Sequence, residues 1–358
     1  MRTRLTELLG IGVPIVQAPM AGSSGSALAI EVAFAGGLGS LPCAMLTGQA
    51  IREQVAAFRS LTDAPLNLNF FCHETPATAS EQLQRWDQAL SNYYAELELE
   101  RPDRPPPARA PFDDEMCAIV EDLRPQVVSF HFGLPQHSLL DRVLATGAKV
   151  LSSATTVEEA LWLQDHGCAA VIAQGAEAGG HRGMFLSNDI GSQVGTMALV
   201  PLVVDAVDVP VIAAGGITDA RGVGAALVLG AEAVQLGTAY LLCPEAITGP
   251  LHRQALLQSA GNMTTALTNV FTGRPARGIL NRIMAELGPM ASMAPPFPLA
   301  ANAVGPLRGA AEAQGSTDFT PLWSGQAGPL AVAMPARQLT EKLINEAQGL
   351  LAAWSTRV

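Results

Sequence analysis

The sequence predicts an α/β protein built as a (β/α)8 TIM barrel with a helical insertion and a C-terminal cap segment. Three observations carry this expectation. Eight short apolar runs recur through the first two thirds of the chain, and helical patterns separate them. The runs are continuous rather than alternating, as strands buried on both faces require. An eightfold strand–helix repeat fits a closed parallel barrel, with a doubly wound open sheet as the lesser alternative.

Taken in order, the strands fall at Ile15 to Ala18, Leu38 to Leu41, Leu66 to Phe70, Val127 to Phe130, Val150 to Ser152, Ala170 to Ala173, Val209 to Ala213 and Ala233 to Leu236. Helical spacing marks Gln49 to Arg59, Leu139 to Thr146, Thr156 to Asp165 and Asp219 to Leu229 between them. Two segments break the rhythm. A polar helix from Ala79 to Leu99 leads into the proline run Arg101 to Pro107, which cannot continue a helix and reads as an extended connector. Beyond the eighth strand, Leu251 to Ala301 is rich in Gly, Pro and Met, and Gln338 to Trp354 reads as a closing helix. We divide the chain into a barrel (1–72 and 112–250), an insertion (73–111) and a C-terminal cap with closing helix (251–358). A plain outer extension is the alternative to a cap.

Composition narrows the function. The 358 residues are 49% apolar and 15% charged, so a sizeable core is available and disorder is not expected. Lys and Arg total 21 against 32 Asp and Glu, a formal net charge of -11. That balance argues against sequence-independent nucleic-acid binding, which needs basic surface. Five cysteines lie scattered without a C-x-x-C pair, fitting a reduced, cytoplasmic setting. No secretory leader and no spanning apolar run are evident, so no membrane partner is expected. Oligomeric state, monomer or homodimer, is not legible.

In a barrel, the loops that follow the strands share one face, and that face carries the chemistry. The loop after the sixth strand, Gln174 to Gly183, combines four glycines with an amide, a carboxylate, an imidazole and a guanidinium. It reads as an active-site loop, with glycines that let backbone N–H groups approach a ligand. His181 is its candidate catalytic group; the bland alternative is an exposed loop histidine. His131 follows the fourth strand and could equally be hydrogen-bonded structure. After the seventh strand, Gly215 and Gly216 precede a helix, and Gly237 and Thr238 follow the eighth. Glycine amides and a helix N-terminus there suit a phosphate. A tight turn with Asp219 as an ordinary N-cap is the alternative. Asn69 and Gln174 lie where a planar heterocycle needs a donor–acceptor pair, although both could be satisfied core amides. Phosphate at one side and amides at the other suit FMN.

Other chemistries recede. The only lysines, Lys149 and Lys342, lie before the fifth strand and in the terminal helix, so Schiff-base chemistry lacks its amine. No Asp/Glu/His set has metal-ligand spacing, and no metal site is expected. A thiol nucleophile after the sixth strand is missing, because Cys168 precedes that strand.

At these residues the chain resembles the nitronate monooxygenase family, formerly the 2-nitropropane dioxygenases. The matching elements are Pro14 to Gly22, Asn67 to Phe71, Ser129 to Gly133, Gln174 to Gly183, Ala213 to Ile217 and Gln235 to Thr238, with further likeness over Leu322 to Ala327. The resemblance implies a barrel with non-covalent FMN that oxidises small anionic nitronates with O2, giving a carbonyl compound and nitrite. It implies catalysis by His181 and substrate binding by His131. Met20, Asn69 and Gln174 would edge the isoalloxazine, and Gly215, Gly216, Gly237 and Thr238 would hold the phosphate. Ala18, Pro19, Gly179, Gly180 and Gln235 complete the expected cofactor-binding set. Members that accept propionate 3-nitronate use C-terminal tyrosines and a lysine. Here no tyrosine follows Tyr240, and Phe297 stands in that part, which leaves a carboxylated substrate unsupported. The rivals are a flavin-dependent enoyl or NADH:quinone reductase on the same barrel, and a flavin-binding protein without turnover.

Overall fold

The computed structural model describes residues 1–76, 80–101, 110–258, 261 and 263–356. Strands β1 (Ile15–Gln17), β2 (Gly39–Pro42), β3 (Leu66–Phe71), β4 (Val127–His131), β5 (Lys149–Ala154) and β6 (Ala170–Gln174) are the first six barrel staves. A two-residue strand, β7 (Gly180–His181), intervenes before the last two, β8 (Val211–Ala214) and β9 (Ala233–Leu236). The barrel order is β1-β9-β8-β6-β5-β4-β3-β2, with every pair parallel. Closure is made just ahead of β2: Gln17 N donates to the Leu38 carbonyl and Leu38 N to the Ile15 carbonyl, each at 2.9 Å. The eight expected strands are all present, and the sheet closes rather than staying open.

The apolar runs have the predicted cause. Alternate residues such as Val128, Phe130, Val171, Ala213 and Val234 face the surrounding helices. Their neighbours Val16, Val127, Leu151, Ile172 and Ile212 fill the barrel floor, which Leu5 and Leu9 of α1 (Arg4–Leu9) plug. Above that floor the inward positions turn polar, at Asn69, Ser129, His131, Ser153 and Gln174. The strands are therefore buried on both faces below and open to chemistry only at their carboxyl ends.

The helices that follow are α2 (Ser26–Phe34), α3 (Gly48–Arg59), α4 (Ser80–Glu96), α5 (Asp114–Leu123), α6 (His137–Ala145), α7 (Val157–Asp165), α8 (Thr196–Ala206) and α9 (Ala220–Val228). Thr47, Asp113, Thr156 and Asp219 cap α3, α5, α7 and α9 through side-chain acceptors. The C-terminal part carries α10 (Pro250–Gln258), β10 (Thr265–Thr268), β11 (Ala276–Ile279), α11 (Arg282–Glu286), α12 (Ala300–Ala313) and α13 (Ala336–Ser355). The expected closing helix is α13, which packs against α9 and α2 and so completes the outer ring.

The polar helix expected from Ala79 runs from Ser80 to Glu96, while the proline connector, apart from Arg101, lies outside the described residues. Trp86 and Leu90 of α4 share a second apolar cluster with Phe271, Ile283, Val304 and Leu307. Trp86 Nε1 donates to the Ala300 carbonyl at 3.3 Å, and Tyr94 OH to the Ala303 carbonyl at 2.8 Å. The insertion helix and the C-terminal part thus build one small core of their own. Among the described residues, no helix is long and apolar enough to cross a membrane.

Candidate active site

A cavity of about 750 Å³ lies over the carboxyl ends of the strands, within the range of small-molecule and cofactor sites. Its walls include Ala18, Pro19 and Met20 after β1, Asn69 of β3, His131 of β4 and Gln174 of β6. Gly179, Gly180, His181, Gly215, Gly216, Gln235, Gly237 and Thr238 complete the set expected from sequence. Residues more than 200 positions apart meet there because the barrel brings the loops after successive strands to one end.

His181 is not on a free glycine loop. It belongs to β7, which pairs antiparallel with β11: Ala276 stands opposite His181 and Arg277 opposite Gly180. Arg182 N extends the pairing by donating to the Pro275 carbonyl at 2.8 Å. The His181 Nε2 lies 2.9 Å from Thr272 Oγ1, which fixes the plane of the ring. A strand of two residues has no sequence signature of its own, so this support was invisible in the chain.

The neighbouring polar groups hold this strand. Gln174 donates from Nε2 to the His181 carbonyl at 3.0 Å and accepts from Gly183 N at Oε1 at 2.8 Å. His131 Nε2 lies 3.2 Å from the same carbonyl, and its Nδ1 is 3.1 Å from Ser153 Oγ. The carbonyl can only accept, so Nε2 carries the proton and Ser153 donates to Nδ1. Burial pushes the His131 pKa down to about 4, opposed by the bond to the His181 carbonyl, with Arg274 and Arg182 lowering it further. The imidazole is neutral near pH 7, and both nitrogens face protein groups. His131, for which substrate contact is expected, lines the cavity with both ring nitrogens engaged by protein groups. Asn69 donates to Ser129 Oγ at 2.9 Å and to the Ser129 carbonyl at 3.2 Å. Asn67, one layer lower, donates to Ser40 Oγ at 3.0 Å and belongs to the floor.

The glycines of the 174–183 loop serve close packing more than left-handed backbone. Only Gly180 has a positive φ among them, at 73°. A Cβ on Gly175 would stand 1.9 Å from Thr196 Oγ1, one on Gly179 2.5 Å from Gly325 N, and one on Gly183 2.9 Å from Ser153 Cβ. The loop is pressed against the start of α8, the 324–325 backbone and β5. Its charged groups are internal too. Arg182 is fully buried and donates to the Gly175 carbonyl at 2.7 Å, the Gln174 carbonyl at 2.6 Å and Gln193 Oε1 at 2.8 Å. The Glu177 carboxylate accepts from Thr196 N and Oγ1, both at 2.8 Å, and caps α8. The guanidinium and carboxylate of the loop are thus engaged by its own backbone, by Gln193 and by the start of α8.

Across the cavity, Gly215 and Gly216 adopt φ of 109° and 69°, a region that penalises any Cβ. Gly237 faces them from the loop after β9 and has only Ala18 Cβ (3.5 Å) and Met20 Sδ (3.7 Å) near its open side. Thr238 Oγ1 accepts from Gly325 N at 2.9 Å and keeps its own proton for donation. Asp219 caps α9, accepting from Arg221 N and Gly222 N and pairing with the Arg221 guanidinium. The N-cap reading of Asp219 is thus correct, and it occupies the first-turn amides of α9. Gly215, Gly216, Gly237 and Thr238 all line the cavity here.

Aromatic side chains surround the His181 ring, and of these only Phe297 is singled out from the sequence. Ring centroids of Phe297, Trp323, Phe132 and Phe71 lie 5.4, 5.6, 5.9 and 6.3 Å away. Phe132 holds a φ of 72°, strained for a bulky residue. The Arg274 guanidinium covers its ring at 4.0 Å and also donates to the Met184 carbonyl, which ties the two histidine segments together.

Fold and cavity together define a (β/α)8-barrel enzyme with its chemistry at the strand ends. The family model for nitronate monooxygenase matches residues 2–346, and the chain belongs to that family of oxidoreductases. It is 42% identical to a nitronate monooxygenase of Pseudomonas aeruginosa over 98% of this chain and all of that one. It is 40% identical to a nitronate monooxygenase of Paraburkholderia phytofirmans over 96% of this chain and 94% of the other. Among solved structures, a nitroalkane oxidase from Streptomyces ansochromogenes superposes with a TM-score of 0.89 at 37% identity, covering 98% of this chain and all of that one. FabK from Thermotoga maritima shares the architecture at 26% identity and a TM-score of 0.76, with both chains fully covered.

Proposed function

We propose that this enzyme binds FMN in the strand-end cavity and oxidises alkyl nitronates with O2 to a carbonyl compound and nitrite. The observation that carries the reading is the pairing of two features in one cavity. Gly215, Gly216, Gly237 and Thr238 form a cradle of donors with room for a phosphate, and His181 stands within the same cavity. The cradle fits the group because a side chain at Gly215 or Gly216 would be strained and one at Gly237 would enter the space. Ala18, Pro19, Met20, Asn69, Gly179, Gly180 and Gln235 would contact the rest of the cofactor. Gln174 would meet it with an amide already braced against the His181 strand. When bound, the flavin supplies the redox chemistry, passing electrons from the organic substrate to O2.

The chain's own residues do the rest. Thr272 and β11 orient His181. Its imidazolium would attract the anionic nitronate, and its neutral form would remove the α-proton of a nitroalkane. His131 and Gln174 share the His181 carbonyl and act as positioning residues. The C-terminal segment, whose Phe271, Val304 and Trp323 line the cavity, would serve as its cap. Five unbridged cysteines agree with a cytoplasmic setting, where the activity would remove toxic nitro compounds.

The test is O2 uptake and nitrite release with ethyl nitronate and propyl-2-nitronate. Turnover with both products in step supports the reading. Rapid anaerobic bleaching by NADH without nitronate turnover would favour a reductase instead.

A further inference from the structure

We propose that the cavity selects nitronates carrying an extended apolar or aromatic substituent, with Phe71 and Trp323 as the specificity-determining side chains. The proposal rests on the nitronate reading above and names the substrate class for that site.

The anionic head of a nitronate belongs beside His181. What lies next to that imidazole is aromatic: Trp323 and Phe71 both face the cavity, with ring centroids 5.6 and 6.3 Å from it. The apolar wall continues through Phe271, Ala301 and Val304. This wall is held in place rather than loosely filled. Trp323 bridges to Gly278, its carbonyl accepts from His252 Nε2 at 3.1 Å, and its ring meets Phe271 edge-on at 5.5 Å. Phe71 stands opposite His131 in the β3–β4 register and packs on Phe132 at 5.0 Å. A preformed aromatic wall gains most from a substrate tail that covers it.

A charged tail finds no matching partner there. Among the described residues, Arg308 is the one arginine or lysine on the cavity wall. Its Nε donates to Glu312 Oε1 at 2.7 Å, and the same oxygen accepts from Thr320 Oγ1 at 2.9 Å. A terminal carboxylate on the substrate would meet a couple that is already neutral and would bring Glu312 near a like charge. A two-carbon nitronate would leave most of the aromatic wall uncovered.

The experiment is a kcat/KM series on the FMN-loaded enzyme with ethyl, butyl-1-, hexyl-1- and phenylmethyl nitronate, and a butyl nitronate ending in a carboxylate. Each added methylene should raise kcat/KM about fourfold until the wall is covered, so butyl should exceed ethyl by roughly fifteenfold. Phenylmethyl nitronate should match or exceed butyl, and the carboxylated analogue should fall at least tenfold below it. Trp323→Ala should cut the butyl-to-ethyl ratio severalfold. Phe71→Leu, which keeps the position apolar but removes the ring, should lower the phenylmethyl-to-butyl ratio. A flat series with robust turnover, or a carboxylated analogue as good as butyl, overturns this proposal and leaves the nitronate reading standing. No turnover of any nitronate by yellow enzyme overturns both.

Discussion

Gly237→Ala separates cofactor binding from folding. Gly237 has φ −110° and ψ −75°, so alanine meets no left-handed penalty there. The new methyl would find Ala18 Cβ at 3.5 Å and Met20 Sδ at 3.7 Å, both ordinary contacts. The chain should fold as before. The methyl nonetheless enters the space between the loops after β8 and β9, where the phosphate is proposed to sit. Displacing the anion from one charge-assisted hydrogen bond costs about 1.5–3 kcal/mol, so Kd for FMN should rise ~10- to 150-fold. Flavin fluorescence titration reads the Kd, and thermal unfolding of the cofactor-free protein reads the fold. Gly179→Ala is the contrasting variant. Its Cβ would lie 2.5 Å from Gly325 N and 2.6 Å from Ser324 C, backbone atoms with nowhere to move. Overpacking of that kind costs about 1–3 kcal/mol of stability, and the unfolding midpoint should drop. A Gly237→Ala protein with unchanged Tm and unchanged FMN affinity would refute the cradle.

Three further outcomes follow from the same geometry. His181→Asn should leave the protein folded and flavin-loaded while nitronate turnover falls at least tenfold in steady-state assays; near-normal rates would remove His181 from the chemistry. Arg182→Met should strand three acceptors on the loop, at Gln174, Gly175 and Gln193, and lower stability by several kcal/mol in denaturant melts, at about 1–3 kcal/mol per unsatisfied buried group. Acid should destabilise the protein through His131 and His252, both pushed down to about 4, chiefly by burial. Above pH 6.5 both states are neutral and these groups contribute nothing. Between pH 6.5 and about 4 only the unfolded chain gains the protons, so stability falls as pH falls. The loss is complete below about 4, on the order of 3 kcal/mol per histidine. Replacing His131 with Gln should flatten that part of the Tm–pH curve.

The barrel was legible because its strands are buried on both faces, so runs such as Ala170–Ala173 and Val211–Ala214 stand out as unbroken apolar stretches. The location of the cavity was legible for a related reason: polar residues and glycines gather immediately after those runs, and the barrel collects such loops at one end. What each side chain does there was less visible. Arg182 and Glu177 have the chemistry of an active site, yet they stitch the loop to itself and to α8. His131 and Gln174 brace the His181 carbonyl, a bond that depends on a turn between β6 and β7 and leaves no mark in spacing. The aromatic wall as an assembly was not legible, because Phe71, Phe297 and Trp323 come from three distant segments. Phe71 directly follows the strand expected at Leu66 to Phe70, and the other two lie in the C-terminal part. Their meeting depends on β11 pairing with the two-residue β7 and on the apolar cluster shared by α4 and α12.

The most direct measurement is the visible absorption spectrum of the purified protein, with the cofactor identified after denaturation. Flavin bands and close to one FMN released per chain are the predicted result. A colourless protein that takes up no added FMN would contradict the account at its root.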